Sequence, residues 1–128
     1  MLIINTSKAP AAIGPYSQAI VSHGMVYTSG QIAIDPATNT VKGKTITEQT
    51  EQIMKNLAAI LEEASSGFDK AVKTTCFLAD MNDFAAFNEV YGRYFTSMPA
   101  RSCVAVKTLP KGVLAEVEVI AEISDYSY

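Results

Sequence analysis

What the chain has little of narrows its chemistry first. Its 128 residues contain one histidine and two cysteines, Cys76 and Cys103, and these do not fall at metal-ligand spacings. Metal catalysis finds no support, and no metal is expected. Two lone thiols without a secretory context fit a cytoplasmic protein whose cysteines stay reduced. A Cys–His hydrolase would have to use Cys103 with His23, which falls in a turn with no clear orienting partner. Charge is moderate and its balance is acidic, with a net charge of −3. A nucleic-acid surface needs clustered Lys and Arg, so nucleic acid is not an expected partner. The Met1-Leu2-Ile3-Ile4 start is too short for a signal peptide, and no apolar run approaches bilayer length, so no membrane association is expected. Gly-rich phosphate and dinucleotide fingerprints are absent, since Ser29-Gly30-Gln31 holds a lone glycine.

What is there reads as a single domain over residues 1–128, apolar enough to bury a core and free of low-complexity tracts. Leu2 to Asn5 reads as an edge strand, and Pro10 to Pro15 as a rigid loop. Tyr16–Ser22 and Met25–Ile34 read as strands joined by a tight turn at His23-Gly24. In the second of these, alternation puts Val26, Thr28, Ile32 and Ile34 on one side and Tyr27, Ser29 and Gln31 on the other. Gly30 between them admits a close approach of backbone or ligand. Thr45-Ile46-Thr47-Glu48 has capping-box spacing and opens a helix to about Ser65, with Gly67 as its stop. Its stripe of Ile53, Leu57, Ile60, Leu61 and Ala64 marks it as scaffold.

Ala71–Ala79 reads as a central strand after a crossover helix. Asn82 or Asp83 caps a second helix carrying Phe84, Phe87, Tyr91, Tyr94 and Phe95, with Asn88 inside the aromatic stripe, where it either braces a loop or shapes a pocket. A strand from Arg101 to Lys107 turns at Leu109-Pro110-Lys111-Gly112 into Val113–Ile123, running antiparallel to it. The odd positions of this last strand are uniformly apolar and face the helices. The even ones, Leu114, Glu116, Glu118, Ile120 and Glu122, mix acids with aliphatics and fit a subunit contact. The fold expected is α+β, a mixed sheet with two helices packed on one face and its other face open for oligomerisation.

Arg101, Cys103 and Ala105 share one strand face, and Ser102, Val104 and Val106 the other. An arginine that opens an apolar strand either extends into solvent, pairs with a neighbouring acid, or grips a ligand carboxylate bidentately. Together with a carboxylate on the next strand, hydroxyls at Tyr16 and Ser29, and backbone near Gly30 and Cys103, it can hold a small carboxylic acid and position water. Such a set suits an easy hydrolysis rather than the breaking of a strong bond. It suits equally the binding of a small acid without turnover.

Five stretches, Ala11-Ala12-Ile13-Gly14-Pro15-Tyr16-Ser17-Gln18-Ala19, Thr28-Ser29-Gly30-Gln31, Asn88-Glu89-Val90-Tyr91, Pro99-Ala100-Arg101-Ser102-Cys103-Val104 and Leu109-Pro110-Lys111-Gly112, resemble the RidA/YjgF family of reactive intermediate deaminases, in order and over almost the whole chain. The resemblance implies a chorismate-mutase-like subunit in a homotrimer with sites between subunits. It implies hydrolysis of enamines and imines such as 2-aminoacrylate/2-iminopropanoate and 2-iminobutanoate to 2-oxo acids and ammonia, with no cofactor. The carboxylate-binding arginine would be Arg101 and the water-orienting glutamate Glu116. Tyr16, Ser29, Gly30, Asn88 and Cys103 would complete the substrate pocket, Cys103 through backbone and packing. Ribonuclease or translation-inhibitor activity has been attached to relatives, and the acidic balance argues against both here. The expectation carries its own test: Arg101 and Glu116 must meet in a crevice between subunits, and the proposal fails if they point to opposite sides of the sheet. The extension Asp125-Tyr126-Ser127-Tyr128 would cover an edge or lie against a neighbour.

Overall fold

A two-residue turn in which both residues take positive φ, His23 at 53° and Gly24 at 77°, matches the twist of the strands it joins. It closes β2 (Ala19–Ser22) onto β3 (Met25–Thr28). The structure, a computed structural model, describes residues 1–124; the Asp125–Tyr128 extension lies outside them. In chain order, β1 (Leu2–Ile4) precedes this hairpin, and a small pair of β4 (Ile34–Asp35) and β5 (Thr40–Val41) follows it. Then come α1 (Ile46–Glu63), β6 (Ala71–Leu78), α2 (Phe84–Tyr94), β7 (Ala100–Ala105) and β8 (Ala115–Glu122). Six strands form one sheet in the order β1-β2-β3-β8-β6-β7, with only β6 and β7 parallel. The expected mixed α+β sheet with two helices is therefore present.

The antiparallel sense of the last two strands holds, but they are not neighbours. β6 lies between them, parallel to β7 and antiparallel to β8. This leaves β7 as a sheet edge. The odd residues of β8 bury completely against the helix layer, Ala115, Val117 and Ala121 at 0% exposure. Ile53, Leu57, Ile60, Leu61 and Ala64 meet them from α1, as their spacing predicts.

Local chemistry explains the element ends. Thr45 accepts from the Glu48 amide at 3.1 Å while the Glu48 carboxylate takes the Thr45 amide, so the capping box forms. At the other end the helix is stopped by Ser65, not Gly67. Ser65 sits at φ 60°, its amide donates to Glu62 O and that of Ser66 to Leu61 O, a Schellman closure. For α2, neither Asn82 nor Asp83 caps through its side chain. Asp80 does so one turn earlier, accepting from the Asn82 amide at 2.8 Å and starting a short 3₁₀ turn that leads into the helix.

The second expected strand is interrupted. Tyr27 faces Ile120 and Gln31 faces Val117, so four steps along one strand match three along the other. One extra residue in the Ser29-Gly30 stretch makes a β-bulge, and it inverts the alternation beyond it. Gln31, expected on the Tyr27 side, turns inward and is buried.

Candidate functional site

The bulge carries Ser29 and Gly30 across the open face of the sheet. The missing side chain of Gly30 leaves room for the Glu116 carboxylate, which a Cβ there would overlap, its Cδ lying only 2.8 Å away. Ser29 is fixed from both ends. Its amide donates to Gln18 O at 2.9 Å and its hydroxyl to Ser17 O at 2.5 Å. Tyr16 stands at the end of the preceding loop, 55% exposed, with its hydroxyl accepting from the Ile13 amide at 3.4 Å. Tyr16, Ser29, Gly30 and Glu116 line one cavity of about 550 Å³, closed on other sides by Ile13 and Lys111. Lys111 comes from the Leu109–Gly112 turn, in a left-handed conformation at φ 56°. The sequence marks that segment as a turn and as a stretch shared with the family, without placing Lys111 at the cavity.

Glu116 is half-buried, and burial, reinforced by the nearby Glu118 charge, pushes its carboxyl above the usual carboxylate range. No arginine pairing opposes these two influences within the chain. The reason is topological. Arg101 is in register with Thr74 on β6 and Glu116 with Phe77, three residues further along. An odd separation on a strand means opposite faces. Thr74 is fully buried under the helices while Phe77 is partly exposed, which agrees. Arg101 and Glu116 of one chain therefore point to opposite sides of the sheet. The condition stated for failure, opposite sides of the sheet, is thus met within one chain, and Arg101 and Glu116 can meet only when they come from different subunits.

On the helix side, Arg101 forms a second cluster with Asn88 and Cys103. One guanidinium nitrogen donates to Asn88 Oδ1 at 2.6 Å, and the group lies 4.7 Å from the Tyr91 ring centre and 5.4 Å from that of Phe84. Tyr91 is itself held by a 2.7 Å hydrogen bond between its hydroxyl and Thr74. Phe84, Asn88 and Tyr91 fall at i, i+4 and i+7, so one helix face presents an amide between two rings. That spacing was visible in the sequence, but its occupant was not. Asn88 is exposed and serves neither a loop nor a buried network. Among the described residues, Arg101 pairs with no carboxylate. Its remaining N–H groups are available to a planar anion.

Cys103 adjoins this cluster and is in register with Cys76. Burial raises both thiols, Cys76 to about 12, against a smaller opposing pull from Arg101. A thiol held protonated is a poor nucleophile, which fits a packing role. The seven candidate residues thus divide into one group around Glu116 and another around Arg101. No helix among the described residues is long and apolar enough to cross a membrane.

Comparison with known proteins bears on the fold and the family. Residues 6–123 match the family described as Endoribonuclease L-PSP. A RutC family protein of Synechocystis is 53% identical over 124 residues, covering 94% of this chain and 95% of the relative. The mouse protein named 2-iminobutanoate/2-iminopropanoate deaminase is 48% identical over 120 residues, covering 93% of this chain and 89% of its own. Among solved structures, a Rid family protein of Yersinia pestis superposes with a TM-score of 0.92 at 48% identity, covering 95% of this chain and 98% of that one. Escherichia coli TdcF with bound serine gives 0.91 at 41%, covering 97% and 100%. With its sheet, its helices and nearly its full length matched, the chain belongs to the RidA/YjgF (L-PSP) family.

Proposed function

We propose that this chain hydrolyses 2-iminopropanoate, 2-iminobutanoate and their enamine tautomers to 2-oxo acids and ammonia, in clefts where the Glu116 side of one subunit meets the Arg101 side of the next. The observation that carries this reading is the Arg101 guanidinium, fixed by Asn88 and two rings yet paired with no acid among the described residues. A fixed fork of this kind suits a carboxylate ligand. A contact between two different faces is heterologous and closes into a ring when the rotation permits, and the family resemblance implies a ring of three. The open sheet face, with Phe77, Ile120 and exposed Val104 around the acids, supplies apolar surface for such a contact.

The chemistry then divides as the residues do. Arg101 and Asn88 hold the substrate carboxylate, with amides near Cys103 and Gly30 assisting, and Tyr16 and Ser29 shape the remaining wall. Glu116 accepts a proton from water as the oxygen bonds to the imine carbon and the C=N electron pair moves to nitrogen. It returns that proton to nitrogen to give the carbinolamine, then takes the carbinolamine hydroxyl proton and delivers it to nitrogen as the C=O bond forms and the C–N bond breaks, releasing ammonia and the 2-oxo acid. A carboxyl raised above its ordinary range accepts and returns a proton more evenly near neutrality. The reaction needs water and proton transfer alone. The named activity of the mouse relative supports the substrate class.

The test uses two inactive variants. A PLP-dependent dehydratase supplies the imine, and 2-oxo acid release is followed with and without this protein. Arg101→Ala and Glu116→Ala should each abolish the acceleration while keeping the fold. Unfolded together and refolded as a mixture, they should recover about a quarter of wild-type activity, because random pairing across a heterologous interface unites an intact Arg101 with an intact Glu116 at that fraction of sites. No recovery in the mixture refutes the shared cleft. Tight binding of 2-oxobutanoate by wild type without any acceleration would instead establish a binding or sensing module.

A further inference from the structure

We propose that Gln18 is a positioning residue of the cavity, its one buried amide setting the path of residues 6–16 and hence the place of Tyr16 and Ser29 beside Glu116. The catalytic part of this inference rests on the function proposed above; the structural part does not. Between β1 and β2 the chain runs from Asn5 to Gln18 without helix or strand. Loop backbone must still satisfy its polar groups, and Pro10 and Pro15 have no N–H to offer. Gln18 is 2% exposed and spends its whole side chain on this loop. Its Oε1 accepts from the Thr6 amide at 2.7 Å, while Nε2 donates to Thr6 O at 3.0 Å, Pro10 O at 2.8 Å and, more weakly, Ala9 O at 3.4 Å.

The double bond to Thr6 takes over where the ladder ends. Ile4 is in register with Ala19, and beyond that pair β1 leaves β2. A side-chain amide presents an acceptor and donors side by side, so it replaces a strand's backbone for one residue. The backbone of the same residue reaches the other wall, since Gln18 O takes the Ser29 amide at 2.9 Å. One residue thus joins the loop bearing Tyr16 to the bulge bearing Ser29 and Gly30, and it lines the cavity they enclose. The remaining walls use the same device from α1. Asn56 Nδ2 donates to Ile34 O at 2.9 Å and Ile32 O at 3.2 Å, and Gln49 Oε1 takes the Leu114 amide at 2.9 Å behind the Lys111 turn.

Gln18→Met keeps the volume and removes every side-chain bond, leaving the backbone bond to Ser29 in place. Hydrogen exchange should rise at least about tenfold across residues 6–16 and stay unchanged in α1, as for a local opening. With imine substrate, kcat should fall about tenfold or more while KM changes less than about threefold, because the neighbour's Arg101 still holds the carboxylate. Water admitted around Glu116 should also move the acid limb of the kcat–pH profile downward. Ile60→Val, a buried core truncation that breaks none of these hydrogen bonds, is the control for lowered stability and should show neither change. Gln18→Asn, shorter by one methylene, carries the test should the Met variant not fold, with smaller effects of the same sign. Unchanged exchange across 6–16, or a kcat and acid limb matching those of Ile60→Val, overturns the proposal. Should wild type hydrolyse no imine, the functional reading fails by itself, and the exchange data still decide whether Gln18 holds the loop.

Discussion

Replacing Gly30 by alanine perturbs the site by a single methyl group. Gly30 does not occupy the left-handed region, so alanine adopts its backbone conformation without strain. The new Cβ would lie 2.8 Å from Glu116 Cδ and 3.0 Å from Cγ, and would overlap a carboxylate oxygen. Ordinary contact requires the carboxyl to withdraw by roughly 1 Å, a displacement that lowers a reaction rate by about 10²-fold when the moved group is the one in action. That corresponds to about 2.7 kcal/mol in the barrier. Stability moves little. Alanine gains about 0.4–1 kcal/mol by restricting the unfolded chain, and an off-rotamer glutamate loses a similar amount.

The assay is therefore a pair of measurements on one variant. The melting temperature should stay within about 3 °C of wild type, while kcat for imine hydrolysis falls about a hundredfold. Affinity for a 2-oxo acid, which the proposed cleft would hold chiefly through Arg101 of the neighbouring subunit, should change far less. A Gly30→Ala protein that turns over within threefold of wild type would refute the placement of Glu116 as proton acceptor. Loss of activity in step with loss of folded protein would refute the separation of the two effects.

Four further outcomes follow from the same geometry. Glu116→Gln should abolish hydrolysis yet raise the melting temperature at pH 7, because folding disfavours the ionised form; that advantage should shrink as pH falls through the raised pKa and vanish below the ordinary value of 4.5, seen by thermal melts across pH. Glu118→Gln removes the secondary cause of that shift, so the acid limb of the kcat–pH profile should move to lower pH, and an upward move contradicts the electrostatics. Tyr91→Phe leaves the buried Thr74 hydroxyl without its partner and should destabilise by about 1–2 kcal/mol in denaturant titration with KM unchanged; a severalfold rise in KM would show that more than the ring holds Arg101. Ser65→Gly should add roughly 1 kcal/mol of stability by relieving a left-handed non-glycine cap, leaving kcat untouched.

The sequence made legible what is decided by neighbours along the chain. The capping box at Thr45, the His23-Gly24 turn and the parity of β8 are local, and each formed as read. Features that depend on which strands pair were not legible. The placement of β6 between β7 and β8 follows from a crossover that no local pattern records. One surplus residue at Ser29-Gly30 inverts the faces of everything beyond it, and a lone glycine does not announce a bulge. Gln49, Gln52 and Asn56 share a face of α1 outside its apolar stripe, and they are buried where irregular loops need hydrogen-bond partners. The candidate site residues were named from the resemblance, whereas their division between two faces required the register through Thr74 and Phe77.

That division has a chemical consequence. A guanidinium and a carboxylate able to touch within one chain would form a bidentate pair as the chain folds. Such a pair would occupy the fork that a substrate carboxylate needs, and the positive charge would pull the Glu116 carboxyl down rather than leave it raised. Rigid strands prevent both by placing the groups on opposite faces, where Arg101 is held by neutral Asn88 and aromatic rings, and Glu116 by burial beside another acid. Each group then keeps its reactivity within the single chain. In the proposed cleft the substrate separates them, its carboxylate on one side and its imine carbon on the other. A Rid-type subunit would accordingly be inert alone for two reasons: half of the site is missing, and the half present is in the charge state that the other half is needed to use.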